Sequence, residues 1–178
     1  VLSAGLNPKL YSYFEKFQDF YPNALGEMKK KIILKISDYR SALIQGKFFA
    51  KKGLWVSEFR MESGLNCGGH AFATEGVLMG PILQEFAEKR EELKTTLFDM
   101  YAAALVEKGY AKPAAAPEQK FTAQGGVGTA AEHKMLIDTY QLDAVGWGTP
   151  FLLVPEATTV DETTMEQLRV AKEKDLYL

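Results

Sequence analysis

At 178 residues, 47% of them hydrophobic, the chain is long enough to bury a substantial core in one domain. Its formal net charge of −2 gives no general attraction to nucleic acid or to an anionic membrane, and its single cysteine, Cys67, excludes an intrachain disulfide and any cysteine-only metal site. No stretch approaches the roughly eighteen continuous apolar residues that span a bilayer, and no signal peptide is recognisable, so the expectation is a soluble, cytoplasmic protein without nucleic-acid or membrane partners.

Residues 8–30 carry Leu10, Tyr13, Phe14, Phe17 and Phe20 near helical spacing, until Tyr21-Pro22-Asn23 breaks the pattern. Lys31 to Ile36 is β-branched and apolar enough for a buried parallel strand, and a helix is expected over 38–52, ended by Gly53. The next strand is read over 54–59. A loop over 60–74 then leads to a long helix over about 77–109, in which Leu78, Ile82, Phe86, Leu93, Leu97, Met100 and Leu105 recur at helical intervals and Pro81 sits in the first turn. Residues 111–119, with Pro113 and Pro117, read as a loop inside the fold. A strand over 121–124, a helix over 130–140 and a strand over 142–145 follow, and residues 160–178 read as a helix with an acidic first turn.

Strands alternating with helices demand a parallel sheet with right-handed crossovers, so the fold class is α/β. Four strand–helix units cannot close an eight-stranded barrel, which leaves the C-terminal half of a TIM-like barrel, needing partner strands, or an open sheet. The whole chain is then one partial-barrel domain: a lead-in over 1–30, strand–helix units over 31–156 and a tail over 157–178. It does not begin with Met and stops on the apolar pair Tyr177-Leu178, as a piece of a longer protein would.

Two glycine clusters stand out, Gly125-Gly126-Val127-Gly128-Thr129 and Gly146-Trp147-Gly148-Thr149-Pro150, each after a short apolar run. Glycine lets backbone N–H groups approach an anionic oxygen closely, and a helix starting just beyond adds its positive dipole end. In eight-stranded barrels the loops after the last two strands hold phosphate in this way. The alternative is two tight connections with no ligand.

A second loop, from Glu62 to Phe72, places Cys67 and His70 beyond a strand end, where parallel α/β folds keep their active sites. His70 suits a general base or an anion ligand, or else it caps the following helix or satisfies a buried carbonyl. Cys67 is a nucleophile or redox group, or a small buried apolar residue. Their spacing allows two metal ligands, but no second cysteine or carboxylate pair completes a set. Lys35, inside an apolar strand, calls for a ligand or a carboxylate partner unless it reaches solvent at an edge. Glu58 and Glu62 either pair with Lys35 or Arg60 or act in proton transfer. His133 reads as a surface or packing residue, and Trp147 as lying against a ligand or plugging the barrel mouth.

Residues 31–156 resemble the C-terminal half of the flavin mononucleotide-binding TIM-barrel oxidoreductases, a group that includes the synthase domain of glutamate synthase, the nitronate monooxygenases and the 2-hydroxy-acid oxidases. The resemblance implies that Lys35, in Ile33-Leu34-Lys35, contacts the flavin pyrimidine, and that Gly125, Gly126, Gly128, Gly146, Gly148 and Thr149 belong to its two phosphate loops. Cys67-Gly68-Gly69-His70 is similar to the Ala-Gly-Gly-His stretch of the nitronate monooxygenases, with cysteine in place of alanine. That similarity implies His70 as the catalytic base, with Cys67 nearby as a modulator. The expected function is FMN-dependent oxidation of a small molecule, monooxygenase- or dehydrogenase-like, with the rest of the barrel or a second copy as partner. The alternative is a non-catalytic module that binds a phosphorylated ligand or is purely structural.

Overall fold

Leu34, Ile36, Phe59 and Met61 alternate with Lys35, Glu58, Arg60 and Glu62 along two neighbouring strands, and this two-residue period sends the two sets to opposite faces of one sheet. The computed structural model describes residues 1–3, 5–62, 79–125, 127–147, 161–170 and 172. Its elements are α1 (Pro8–Tyr13), β1 (Ile32–Ile36), α2 (Tyr39–Ala50), β2 (Val56–Glu62), α3 (Met79–Glu107), β3 (Lys120–Gln124), α4 (Ala130–Tyr140), β4 (Ala144–Gly146) and α5 (Glu162–Val170). The four strands form one parallel sheet in the order β1-β2-β3-β4, with a helix between each consecutive pair. The expected α/β class is therefore the observed one. On the outer edge of β1, Leu2 makes a parallel bridge to Leu34.

Strands laid down in sequential order with crossovers of one hand put the connecting helices on the same face. In keeping with this, α2 packs on α3 and α3 on α4. Leu34, Ile36, Phe59, Met61, Phe121 and Ala123 are buried in the core, together with Ala42 and Phe49 of α2 and Phe86, Leu93 and Leu97 of α3. Gly46 permits the close crossing of α2 and α3, because a Cβ there would lie 2.7 Å from a Leu97 methyl. Asp38 starts α2 by accepting a 2.7 Å hydrogen bond from the Ser41 N–H, and Gly53 follows its end with φ +67°.

Several boundaries differ from expectation. The helical spacing up to Phe20 does not make one helix: α1 covers only Pro8–Tyr13 and two 3-10 turns, Phe14–Lys16 and Gln18–Phe20, follow. The rings explain this, since Phe14 packs edge-on against both Phe20 and Phe49, and a continuous helix would carry Phe20 past that contact. The second strand begins two residues late and runs on to Glu62, because the β3 ladder continues from Phe59↔Phe121 to Glu62↔Gln124. Arg60 and Glu62 are thus strand residues, not the start of a loop. The last strand is shifted to Ala144–Gly146, since Asp143 turns its carboxylate to the Phe121 N–H at 2.7 Å and its own N–H to the Phe121 carbonyl. Among the described residues, no helix is long and apolar enough to cross a membrane.

Candidate functional site

In a parallel sheet the C-terminal strand ends share one rim. Here that rim carries Lys35, the penultimate residue of β1, then Glu62, Gln124 and Gly146, the last residues of β2, β3 and β4. Glu62 pairs in register with Gln124, and Gln124 with Gly146, so these residues stand in one row across the face that the core helices leave uncovered.

Gly125 and Gly146, the first residues of the two glycine clusters, lie side by side at this rim. The Gly125 N–H donates to the Gly146 carbonyl at 3.3 Å, and Gly125 has φ +96°, which a residue with a side chain adopts only under strain. Beyond it, the Gly128 and Thr129 N–H groups both donate to Glu132 Oε2 at 2.9 Å, while Thr129 Oγ1 accepts from the Glu132 N–H. This capping box starts α4. The Gly128 and Thr129 bonds hold the Glu132 carboxyl below its ordinary value, the Gly128 N–H contributing most. Two amides therefore converge on one carboxylate oxygen, the donor set that an external anion would use, and an internal group holds it. Trp147 Nε1 donates to His133 Nδ1 at 2.8 Å, which ties α4 to the residue just after β4.

The sheet face opposite the core helices is charged. Lys35 Nζ lies 2.8 Å from Glu62 Oε2, with side-chain exposures of 30% and 12%. Arg60 donates from Nε and Nη2 to Glu58 Oε1 at 2.9 and 2.8 Å, and Thr122 Oγ1 donates to the same oxygen at 2.8 Å. The lysine inside an apolar strand has thus found a carboxylate across the ladder, and each carboxylate serves its own cation. A cavity of about 410 Å³ lies against Glu58, Arg60, Thr122, Gln124 and Gly146. A larger one, about 810 Å³, lies at the opposite end of the strands against Lys31, Ser57 and Glu118. The chemistry favours the smaller. The ion pairs beside the larger, Lys29–Asp19 and Lys31–Glu118, are at 3.6 and 3.7 Å, longer than hydrogen bonds and open to solvent.

Of the expected site residues, Lys35, Gly125, Gly128 and Gly146 gather at this rim. Cys67, His70, Gly126, Gly148 and Thr149 lie outside the described residues. Arg60, Thr122, Gln124 and Glu132 were not expected at the site, although the alternation of Glu58-Phe59-Arg60-Met61-Glu62 and the Thr129-x-x-Glu132 spacing both carry the signal. Among the described residues no group of three potential metal ligands comes together. Comparisons with protein-family models, curated proteins and solved structures give no match to the chain.

Proposed function

We propose that the chain is the C-terminal half of a TIM-like barrel and that its rim binds FMN for the oxidation of a small molecule. The observation that carries the reading is the Gly125 N–H bond to the Gly146 carbonyl, which joins the first residues of the two glycine clusters at the C-terminal ends of sequentially ordered parallel strands. Sequential order with the helices on one face is the winding of a barrel; a doubly wound sheet reverses its order part-way and covers both faces. The charged face then becomes the barrel lumen, closed by further strands from the rest of the barrel or from a second copy.

The residues fit the cofactor's charge. The Gly128 and Thr129 amides hold an anionic oxygen already, that of Glu132, and a flavin phosphate would take its place at the start of α4. Lys35 stands on the lumen face at the same rim, where it would bind the ring. FMN, when bound, supplies the redox chemistry, and the chain supplies orientation and charge. His70 is assigned as base by the family resemblance alone. A non-catalytic module that holds a phosphorylated ligand shares the same turns, and the full pairing of Lys35 by Glu62 favours it as the second reading.

Titration of the apoprotein with FMN and with riboflavin, followed by flavin fluorescence, tests the phosphate site directly. FMN is expected to bind at least about tenfold more tightly, since one charge-assisted contact set contributes roughly 1.5–3 kcal/mol. Equal affinity for the two removes the phosphate site, and binding of neither removes the cofactor. A phosphorylated ligand other than FMN that binds without turnover selects the second reading.

A further inference from the structure

Neither glycine turn explains why Glu62 ends β2 on the lumen face, in register with Gln124 and diagonal to Lys35. The geometry points to Glu62 as a positioning residue of the proposed flavin site, one that fixes where the Lys35 ammonium sits and how much positive charge it presents to the bound ring. The inference rests on the FMN reading.

Three observations carry it. Lys35 Nζ and Glu62 Oε2 form an ion pair at 2.8 Å, and both side chains are less than a third exposed. Arg60, the register partner of Lys35, does not compete for Glu62, because Glu58 Oε1 receives both its Nε and its Nη2. Thr122 holds that same Glu58 oxygen from the β3 side, so the neighbouring pair is fixed by three hydrogen bonds and cannot swing to Lys35. Among the described residues Lys35 pairs with one carboxylate, supplied by the last residue of the adjacent strand.

A lysine so paired presents an ammonium at a defined point with its charge largely compensated. Reduction of a flavin adds electrons to the ring, and an uncompensated cation beside it favours the reduced, anionic form. Glu62 accordingly tunes the preference between oxidised and reduced cofactor without touching it.

The test measures the dissociation constants of oxidised and dithionite-reduced FMN for wild type, Glu62→Gln and Lys35→Met, alongside the rate at which acetic anhydride labels Lys35 in the cofactor-free protein. Glu62→Gln keeps the side chain's shape, so the fold is expected to survive. Its preference for reduced over oxidised FMN is expected to rise about tenfold, the effect of roughly 1.4 kcal/mol, and that of Lys35→Met to fall. Lys35 labelling should quicken severalfold in Glu62→Gln. An unchanged preference in both variants, with wild type still binding FMN, overturns the positioning role and leaves the FMN reading standing. Failure of wild type to bind either form overturns both. A fall in thermal stability with no change in preference marks Glu62 as purely structural and overturns the inference.

Discussion

The two faces of this one sheet are built from alternate residues of the same strands, and they obey opposite rules. On one, Leu34, Ile36, Phe59, Met61, Phe121 and Ala123 disappear under α2 and α3. On the other, Lys35, Glu58, Arg60 and Glu62 pair off in two ion pairs with Thr122 as an additional donor. Parallel strands normally read as near-continuous apolar runs because helices cover both faces. Here the alternation itself says that the second face is lined for polar company, and the row from Glu62 through Gln124 to Gly146 carries that polarity up to the start of the glycine clusters. Position along a strand decides packing or chemistry, one residue at a time.

Neighbours on β2 offer the sharpest way to break this comparison. Phe59→Ala removes a fully buried ring that stacks on Phe121 at 5.9 Å between centroids, and it is expected to cost about 3–5 kcal/mol of unfolding free energy in a urea titration. Arg60→Ala, one residue on and facing the other way, is expected to cost no more than about 1 kcal/mol in the same titration, since its pair with Glu58 is partly open to water and Thr122 still serves that carboxylate. Should Arg60→Ala cost as much as Phe59→Ala, the polar face is a core in its own right and the lumen reading loses its basis.

The smallest effect belongs to a polar latch on the helix side. Glu15 receives Lys52 at one carboxylate oxygen and Lys108 at the other, tying the N-terminal segment to the ends of α2 and α3. Burial pushes the Glu15 carboxyl up, but the hydrogen bonds and charges of the two lysines outweigh it and hold the carboxyl below its ordinary 4.5. A depressed carboxylate contributes stability that is fully present above that ordinary value and is lost as pH falls through the folded one. Urea midpoints measured on either side of pH 4.5 should therefore fall more steeply for wild type than for Glu15→Gln. Matching acid slopes would show that the latch contributes nothing.

Much of the fold was legible in the residues. The apolar period of α3, the Gly53 stop of α2 and the span of α4 all follow from local rules of spacing and capping that act within a few residues. The N-terminal aromatics misled because their helical spacing serves contacts with Phe49, which is distant in sequence. The strand ends misled because a strand stops where its neighbour's ladder stops, and the partner of β2 lies beyond the whole of α3.

Local chemistry thus determined the class, the span of α4 and the anomaly of a lysine inside an apolar strand. Only the tertiary structure decided that Lys35 meets Glu62 while Arg60 meets Glu58, that Gly125 and Gly146 sit against one another, and that Glu132 takes the amides of Gly128 and Thr129. Spacing along a chain sets which face a side chain takes. The register between strands, fixed by helices packing on the far side, sets which charge it finds there.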